Sequence, residues 1–240
     1  MLLQGTIVAC CRSPDSATGL KELISSLDDP SRIQIVTLDV ADQASIESAA
    51  SSIKEKFGRV DMLLNNAGIL GDAKNTPGPE RSLSGMDRDW LEKTMAVNLT
   101  GPVMLSKELA PLMMQRRKKK KNPEEEERAI AVIANVSAGV GSISDNEIGG
   151  WYSYRMSKAA LNQATRTMAL ELKRQSTWCV SLYPGMADTD LSKPFQSKNM
   201  KEGFIKPADF TVLQLLNIID SMNEESSGGF YDWSGQALSF

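Results

Sequence analysis

The chain has 240 residues, 41% of them hydrophobic, which suffices for one well-buried α/β core, so residues 1–240 are expected to form a single domain. A formal net charge of −3 with a pI near 5.2 gives nucleic acid and anionic membrane no electrostatic foothold. With no histidine and only three cysteines (Cys10, Cys11 and Cys179), Ser-His-Asp and Cys-His catalysis, His-based metal sites and a disulfide framework are all excluded.

In chain order, "TIVACCR" (6–12) and "RIQIVTLDV" (32–40) read as strands, and between them "TGLKELISSL" places Leu20, Leu23, Ile24 and Leu27 on one helical face. A helix is expected over 42–58, capped by Asp42 and ended by Gly58. "VDMLLNNAG" (60–68) is a strand running into a sharp turn, and 87–115 a long helical stretch bent near Gly101-Pro102. "QRRKKKKNPEEEER" (115–128) sets six basic residues against four glutamates and reads as a solvated charged loop insertion. "AIAVIANVS" (129–137) is almost wholly apolar, as a parallel strand covered on both faces requires. A helix carrying Tyr154 and Lys158, the strand "WCVSLYPG" (178–185), a helix over 207–222 and the short strand "GFYDW" complete the chain. Such alternation predicts a doubly wound, mostly parallel sheet with helices on both faces. No apolar run spans a bilayer and no signal-peptide pattern opens the chain, so a cytoplasmic protein is expected.

Ligands of these sheets bind off the carboxyl ends of the strands. Arg12, Asp39, Asn65-Asn66-Ala67-Gly68, Ser137 and Pro184-Gly185 all follow strands. Tyr154 and Lys158, four apart, share one helical face. A free phenol titrates near ~10, and an adjacent ammonium lowers that value, so the pair can exchange a proton with a carbonyl or alcohol oxygen. The spacing alone also suits a plain surface pair.

"LNNAG", "MAVNLTGP", "NVSAG", "YSYRMSK" and "YPGMADTDL", in this order on these elements, resemble the short-chain dehydrogenase/reductase family, and within it the C-factor and sniffer-type carbonyl reductase group. The resemblance implies an NADP(H)-dependent oxidoreductase that interconverts a small-molecule carbonyl and an alcohol, with pairing of chains into a homodimer or homotetramer. Tyr154 becomes the acid/base, Lys158 the ribose-binding residue that lowers the phenol's pKa, and Asn98 the holder of a relay water. Asn66, Ala67 and Gly68 line the cofactor, Asp39 and Val40 approach the adenine, and Pro184, Gly185 and Thr189 meet the nicotinamide. Arg12, with no acidic residue beside it at that strand end, can pair with a 2′-phosphate and favours NADP over NAD.

Two departures from the family pattern stand out. The serine that bonds the substrate carbonyl matches Ala138, which leaves Ser142, or less well Ser137, to supply a hydroxyl. The first strand and its glycine-rich pyrophosphate turn have no counterpart before "TIVACCR". The flanking strands must then pair directly or leave backbone groups unpaired. The expected alternative to an active reductase is therefore a truncated, catalytically impaired or inactive member of the family.

Overall fold

A computed structural model describes residues 5–72, 74–113, 131–197 and 200–240. The charged stretch 115–128 lies outside the described residues. Strand β1 (Ile7–Cys11) leads through helix α1 (Thr18–Ser25) to β2 (Ile33–Thr37), and the two strands pair in parallel from Ile7 opposite Ile33 to Cys11 opposite Thr37. Helix α2 (Gln43–Phe57) begins and ends where its caps predict. The Asp42 carboxylate accepts the Ala44 N–H at 3.1 Å, and Gly58 turns the chain at φ 66°.

β3 (Met62–Asn65) is followed by helix α3 (Arg88–Met95), a single π turn at Ala96–Thr100, and α4 (Gly101–Met113). Where a bend was expected at Gly101-Pro102, a π turn occupies the five residues just before it. Pro102 has no N–H to offer the carbonyl four residues back, and the Gly101 N–H bonds to Ala96 O, five residues away. Gly101 itself is a close approach: a Cβ there would lie 2.5 Å from Val40 O, so this glycine seats the start of α4 against the loop that follows β2.

β4 (Ala131–Val136) is buried at its first five positions, as its apolar run requires. Helix α5 (Tyr152–Leu172), β5 (Thr177–Tyr183), the short parallel pair β6 (Met186–Ala187) and β7 (Ile205–Lys206), α6 (Ala208–Asp220) and β8 (Phe230–Asp232) complete the order. β3, β4, β5 and β8 form one parallel sheet in that order. Leu63, Ala131, Ile133 and Cys179 pack on one face with α2, α4 and the end of α5. Val132, Ala134, Val180 and Leu182 pack on the other with α6. Helices cover both faces, as a doubly wound sheet demands.

The sheet is not continuous. β1 and β2 form a separate two-stranded piece, and among the described residues β1 and β3 do not pair. Of the two outcomes open to the sequence, direct pairing is the one that fails. The facing strands are instead poorly covered: β1 contains no buried residue, α1 contains none either, and Leu64 of β3 is 42% exposed. The β1–β2 piece is held to the rest through Leu38, Val8, Val36 and Val40, which join the core beneath α2 and α4.

Candidate active site

Residues Tyr154 and Lys158 lie one turn apart in the first turns of α5, and both are buried. The Lys158 ammonium donates to Val136 O at 2.8 Å, at the end of β4, and sits 5.7 Å from the Tyr154 ring centroid. One of its three protons is therefore used and two remain. The phenol oxygen of Tyr154 has no hydrogen-bond partner among the described residues. Burial pushes this phenol above its ordinary range, and the neighbouring Tyr183 adds to the effect. Burial also lowers Lys158 to about 8. The lowering of the phenol by the ammonium, expected from the spacing, is not what the buried pair shows: loss of water raises the phenol and lowers the ammonium.

Asn98 is fully buried within the π turn. Its Oδ1 accepts the Ile69 N–H at 2.7 Å, and its Nδ2 donates to Ile69 O at 2.8 Å and to Ser157 Oγ at 3.1 Å. The extra residue of the π turn aims this amide at the end of β3. Gly68 lies between the two functional side chains, because a Cβ there would stand 3.5 Å from Asn98 Oδ1 and 3.7 Å from Lys158 Nζ. Four of the residues singled out in the sequence, Gly68, Asn98, Tyr154 and Lys158, therefore meet at the carboxyl ends of β3 and β4.

An apolar wall surrounds the phenol. Leu70, Ala138 and Tyr154 form a small cluster with Val140, Trp151, Tyr183 and Phe195 packed against it. Trp151 meets Tyr154 edge-on at 6.2 Å and Phe195 at 5.1 Å. Ala138 thus packs beside the phenol and brings no hydroxyl to it. The two substitute hydroxyls are engaged elsewhere. Ser137 Oγ donates to Asn162 Oδ1 at 2.7 Å, while Ser142 Oγ lies 3.2 Å from Ser144 Oγ and accepts the Asp145 N–H. Neither is hydrogen-bonded to Tyr154.

The residues named for the nucleotide are spread along the strand ends. Arg12 is exposed just after β1, and Asn66 and Ala67 are exposed just after β3. Asp39 braces its own loop, its Oδ1 accepting the Ala41 N–H at 2.9 Å, and Val40 packs against the core beside Gly101. Pro184 and Gly185 are half-buried after β5, Gly185 at φ 71° with its Cα against the Trp233 ring. Thr189 is exposed, its Oγ1 pointing back to Ala187 O at 3.5 Å. Asn65 is structural: its Nδ2 bridges Ser106 Oγ and Asn135 Oδ1.

Sequence reasoning missed Glu80. This acid is 2% exposed, and its side chain accepts the Ser153 hydroxyl and, at 3.2 Å, the Ser153 N–H, while its carbonyl accepts the Trp151 N–H at 2.5 Å. Its partner is 73 residues away, so no local pattern announces the contact. Among the described residues no cluster of acidic, cysteine or histidine side chains suits a metal ion, and no helix is long and apolar enough to cross a membrane.

Residues 2–200 match the family model for short chain dehydrogenases, and the chain belongs to that family. It is 33% identical over 178 residues to the C-signal of Myxococcus xanthus, an alignment covering 74% of this chain and 91% of that protein. Among solved structures it is similar to the NADPH-bound carbonyl reductase from chicken fatty liver, with a TM-score of 0.81 and 28% identity. The carbonyl reductase Sniffer of D. melanogaster superposes with the same score at 27% identity. Both structural matches cover 98% of this chain and 88% of the other.

Proposed function

We propose that this chain is an NADP(H)-dependent oxidoreductase that interconverts a carbonyl and an alcohol, with Tyr154 as the proton donor and acceptor. The observation that carries the reading is the meeting of Gly68, Asn98, Tyr154 and Lys158 at one end of β3 and β4, around a phenol that bonds to no other group among the described residues. The family and the NADPH-bound chicken liver relative support the cofactor class.

The chain's residues fit the nicotinamide and ribose end of such a cofactor. Lys158 has two spare donors for a sugar hydroxyl, and Gly68 leaves open the space that a larger side chain would fill. Pro184, Gly185 and Thr189 border the same end, Asn66 and Ala67 lie exposed beside it, Asp39 and Val40 stand at the adenine side, and Arg12 is free to meet a 2′-phosphate. The fit is incomplete at the pyrophosphate, since no glycine turn at a helix N-terminus stands between β1 and β3 among the described residues. When bound, the reduced nicotinamide supplies a hydride. At neutral pH the buried phenol keeps its proton, the state in which Tyr154 can protonate a carbonyl oxygen. The wall of Leu70, Val140, Trp151, Tyr183 and Phe195 excludes water there and suits an apolar or aromatic carbonyl compound. Ser142 is kept as the hydroxyl supplied to that oxygen, which requires its bonds to Ser144 and Asp145 to open. In the same reading the enzyme is cytoplasmic and pairs with its own kind, α5 contributing the exposed Met156 and Leu170 to the contact.

A second reading, a catalytically impaired member of the family, draws on Ala138 and on the separation of β1 from β3. A fluorescence titration with NADPH, and NADH alongside, separates the two. The oxidoreductase reading expects saturable binding that prefers NADPH, and about a tenfold weakening for NADPH alone in Arg12→Ala. Absence of binding by the folded chain establishes the second reading.

A further inference from the structure

The family relationship accounts for the row Tyr154–Lys158 but not for a second row beside it. Ser153 and Ser157 also stand one turn apart on α5, each immediately before a functional residue, and both are fully buried. Ser153 is held by the segment that follows β3, and Ser157 by the π turn, whose Asn98 is tied to that same segment at Ile69. Ser157 Oγ receives the Asn98 amide, which is itself bonded on both sides to Ile69. Ser153 is held twice by the Glu80 side chain, through its hydroxyl and its backbone N–H. The two anchors, Glu80 and Asn98, lie eighteen residues apart in the chain but meet the helix one turn apart.

The first turn of α5 needs such a hold. Its N-cap residue, Trp151, sits at φ 55° and makes no side-chain cap bond. A helix start leaves several N–H groups without intrahelical partners, and Glu80 takes two of the N–H groups at residues 151–153, one by its carbonyl and one by its carboxylate. No ion pair to Glu80 is found among the described residues, and its side chain meets the Ser153 hydroxyl and N–H at the positive end of the helix. The segment carrying Glu80 is braced internally. Asp72 Oδ1 accepts the Lys74 and Asn75 N–H groups, and Thr76 Oγ1 bonds to Gly78 O at 2.8 Å. A braced loop therefore fixes both the start of α5 and its rotation about its own axis, and Tyr154 is the next residue.

We propose that Glu80, acting through Ser153, is the positioning residue for Tyr154: it clamps the first turn of α5 so that the phenol stays seated in the apolar wall with its oxygen facing the reacting carbonyl. This inference rests on the reading of Tyr154 as the acid/base. The clamp and that reading can be tested separately.

The experiment compares wild type, Glu80→Ala, Glu80→Gln and Ser153→Ala by amide hydrogen exchange over residues 151–158 and by steady-state kinetics with NADPH. In Glu80→Ala, exchange at 152–155 rises about tenfold, the factor expected for a lost cap, while amides near Leu172 exchange as before. Turnover falls at least tenfold with KM for NADPH within about twofold, because small displacements of a reacting group are costly and the nucleotide contacts are unchanged. Glu80→Gln restores turnover to within about threefold, its carbonyl accepting from the Ser153 N–H and its amide donating to the hydroxyl. Unaltered exchange and turnover in a folded Glu80→Ala overturn the clamp, as does a Glu80→Gln no better than Glu80→Ala. If Glu80→Ala does not fold, Ser153→Ala, which loses only the hydroxyl bond, decides by the same two measurements. Should the wild type prove inactive, exchange alone judges the clamp, and the failure belongs to the oxidoreductase reading.

Discussion

The two pieces of the sheet are built to different standards. In β3–β4–β5–β8, Ala131, Ile133, Ala134, Cys179, Val180 and Leu182 are completely buried, with helices on both faces. In β1–β2 no residue is buried, Ile7 is 47% exposed, and the connecting helix α1 has no buried residue either. The first piece carries the buried Tyr154, Lys158 and Asn98, so in the proposed function the proton chemistry belongs to it. The second carries the residues that would recognise the far end of the nucleotide. A chain of this kind can keep a well-ordered catalytic centre while its grip on the cofactor is poor, and the two properties can be measured independently.

The sharpest test of the well-built piece is Tyr154→Phe. The hydroxyl it removes bonds to nothing else among the described residues, so the fold should be unaffected while kcat/KM falls about 10³-fold, as expected for loss of a general acid. An activity loss accompanied by a lowered unfolding midpoint breaks this separation of chemistry from stability.

Packing provides the next contrast. Ile133→Ala in β4 should cost about 3–4 kcal/mol of unfolding free energy, because the side chain is wholly buried between helices. Ile7→Ala in β1 should cost under about 0.5 kcal/mol. Chemical denaturation of the two variants measures both, and equal costs would show that the exposed strand is covered in solution.

A third contrast is in pH. Lys158 titrates at about 8 when folded against ~10.4 when unfolded, so between those values the unfolded chain binds more protons and stability rises with pH. The gain is at most about 3 kcal/mol, since the bond to Val136 O offsets part of the burial penalty. Tyr154 acts oppositely: its folded phenol is raised, so above ~10 the unfolded chain loses its proton first and stability declines. Thermal midpoints across pH 7–11 should therefore pass through a maximum, with Lys158→Met flattening the rising limb and Tyr154→Phe the falling one.

How much of this was legible in the sequence depended on how far apart the interacting residues lie. β4 was readable because burial on both faces leaves an unbroken apolar run, and α2 because Asp42 and Gly58 act on their own neighbours. The Tyr154–Lys158 pair was readable through its spacing, and Asn98 and Gly68 through the company they keep. The π turn at 96–100 was not, because its cause, a proline without an N–H, marks a disturbance without saying which turn absorbs it. Nor was the break between β1 and β3, where the sequence left two outcomes open. Glu80 and Ser153 carried no local signal, for the contact joining them is made only in three dimensions.

The two rows on α5 also determine which kinds of genetic change this helix can survive. Met156, between Tyr154 and Ser157 in the chain but on the open side of the helix, is 41% exposed, and exchanging it for another helix-forming residue leaves both rows in place. Deleting it is a different event. Each residue advances a helix by about 100°, so the loss of one position turns Ser157 and Lys158 by that angle relative to Ser153 and Tyr154. Lys158 then leaves Val136, Ser157 leaves Asn98, and no rotamer can restore either contact. Across 153–158 the chain tolerates spelling changes at its open position but no change in length.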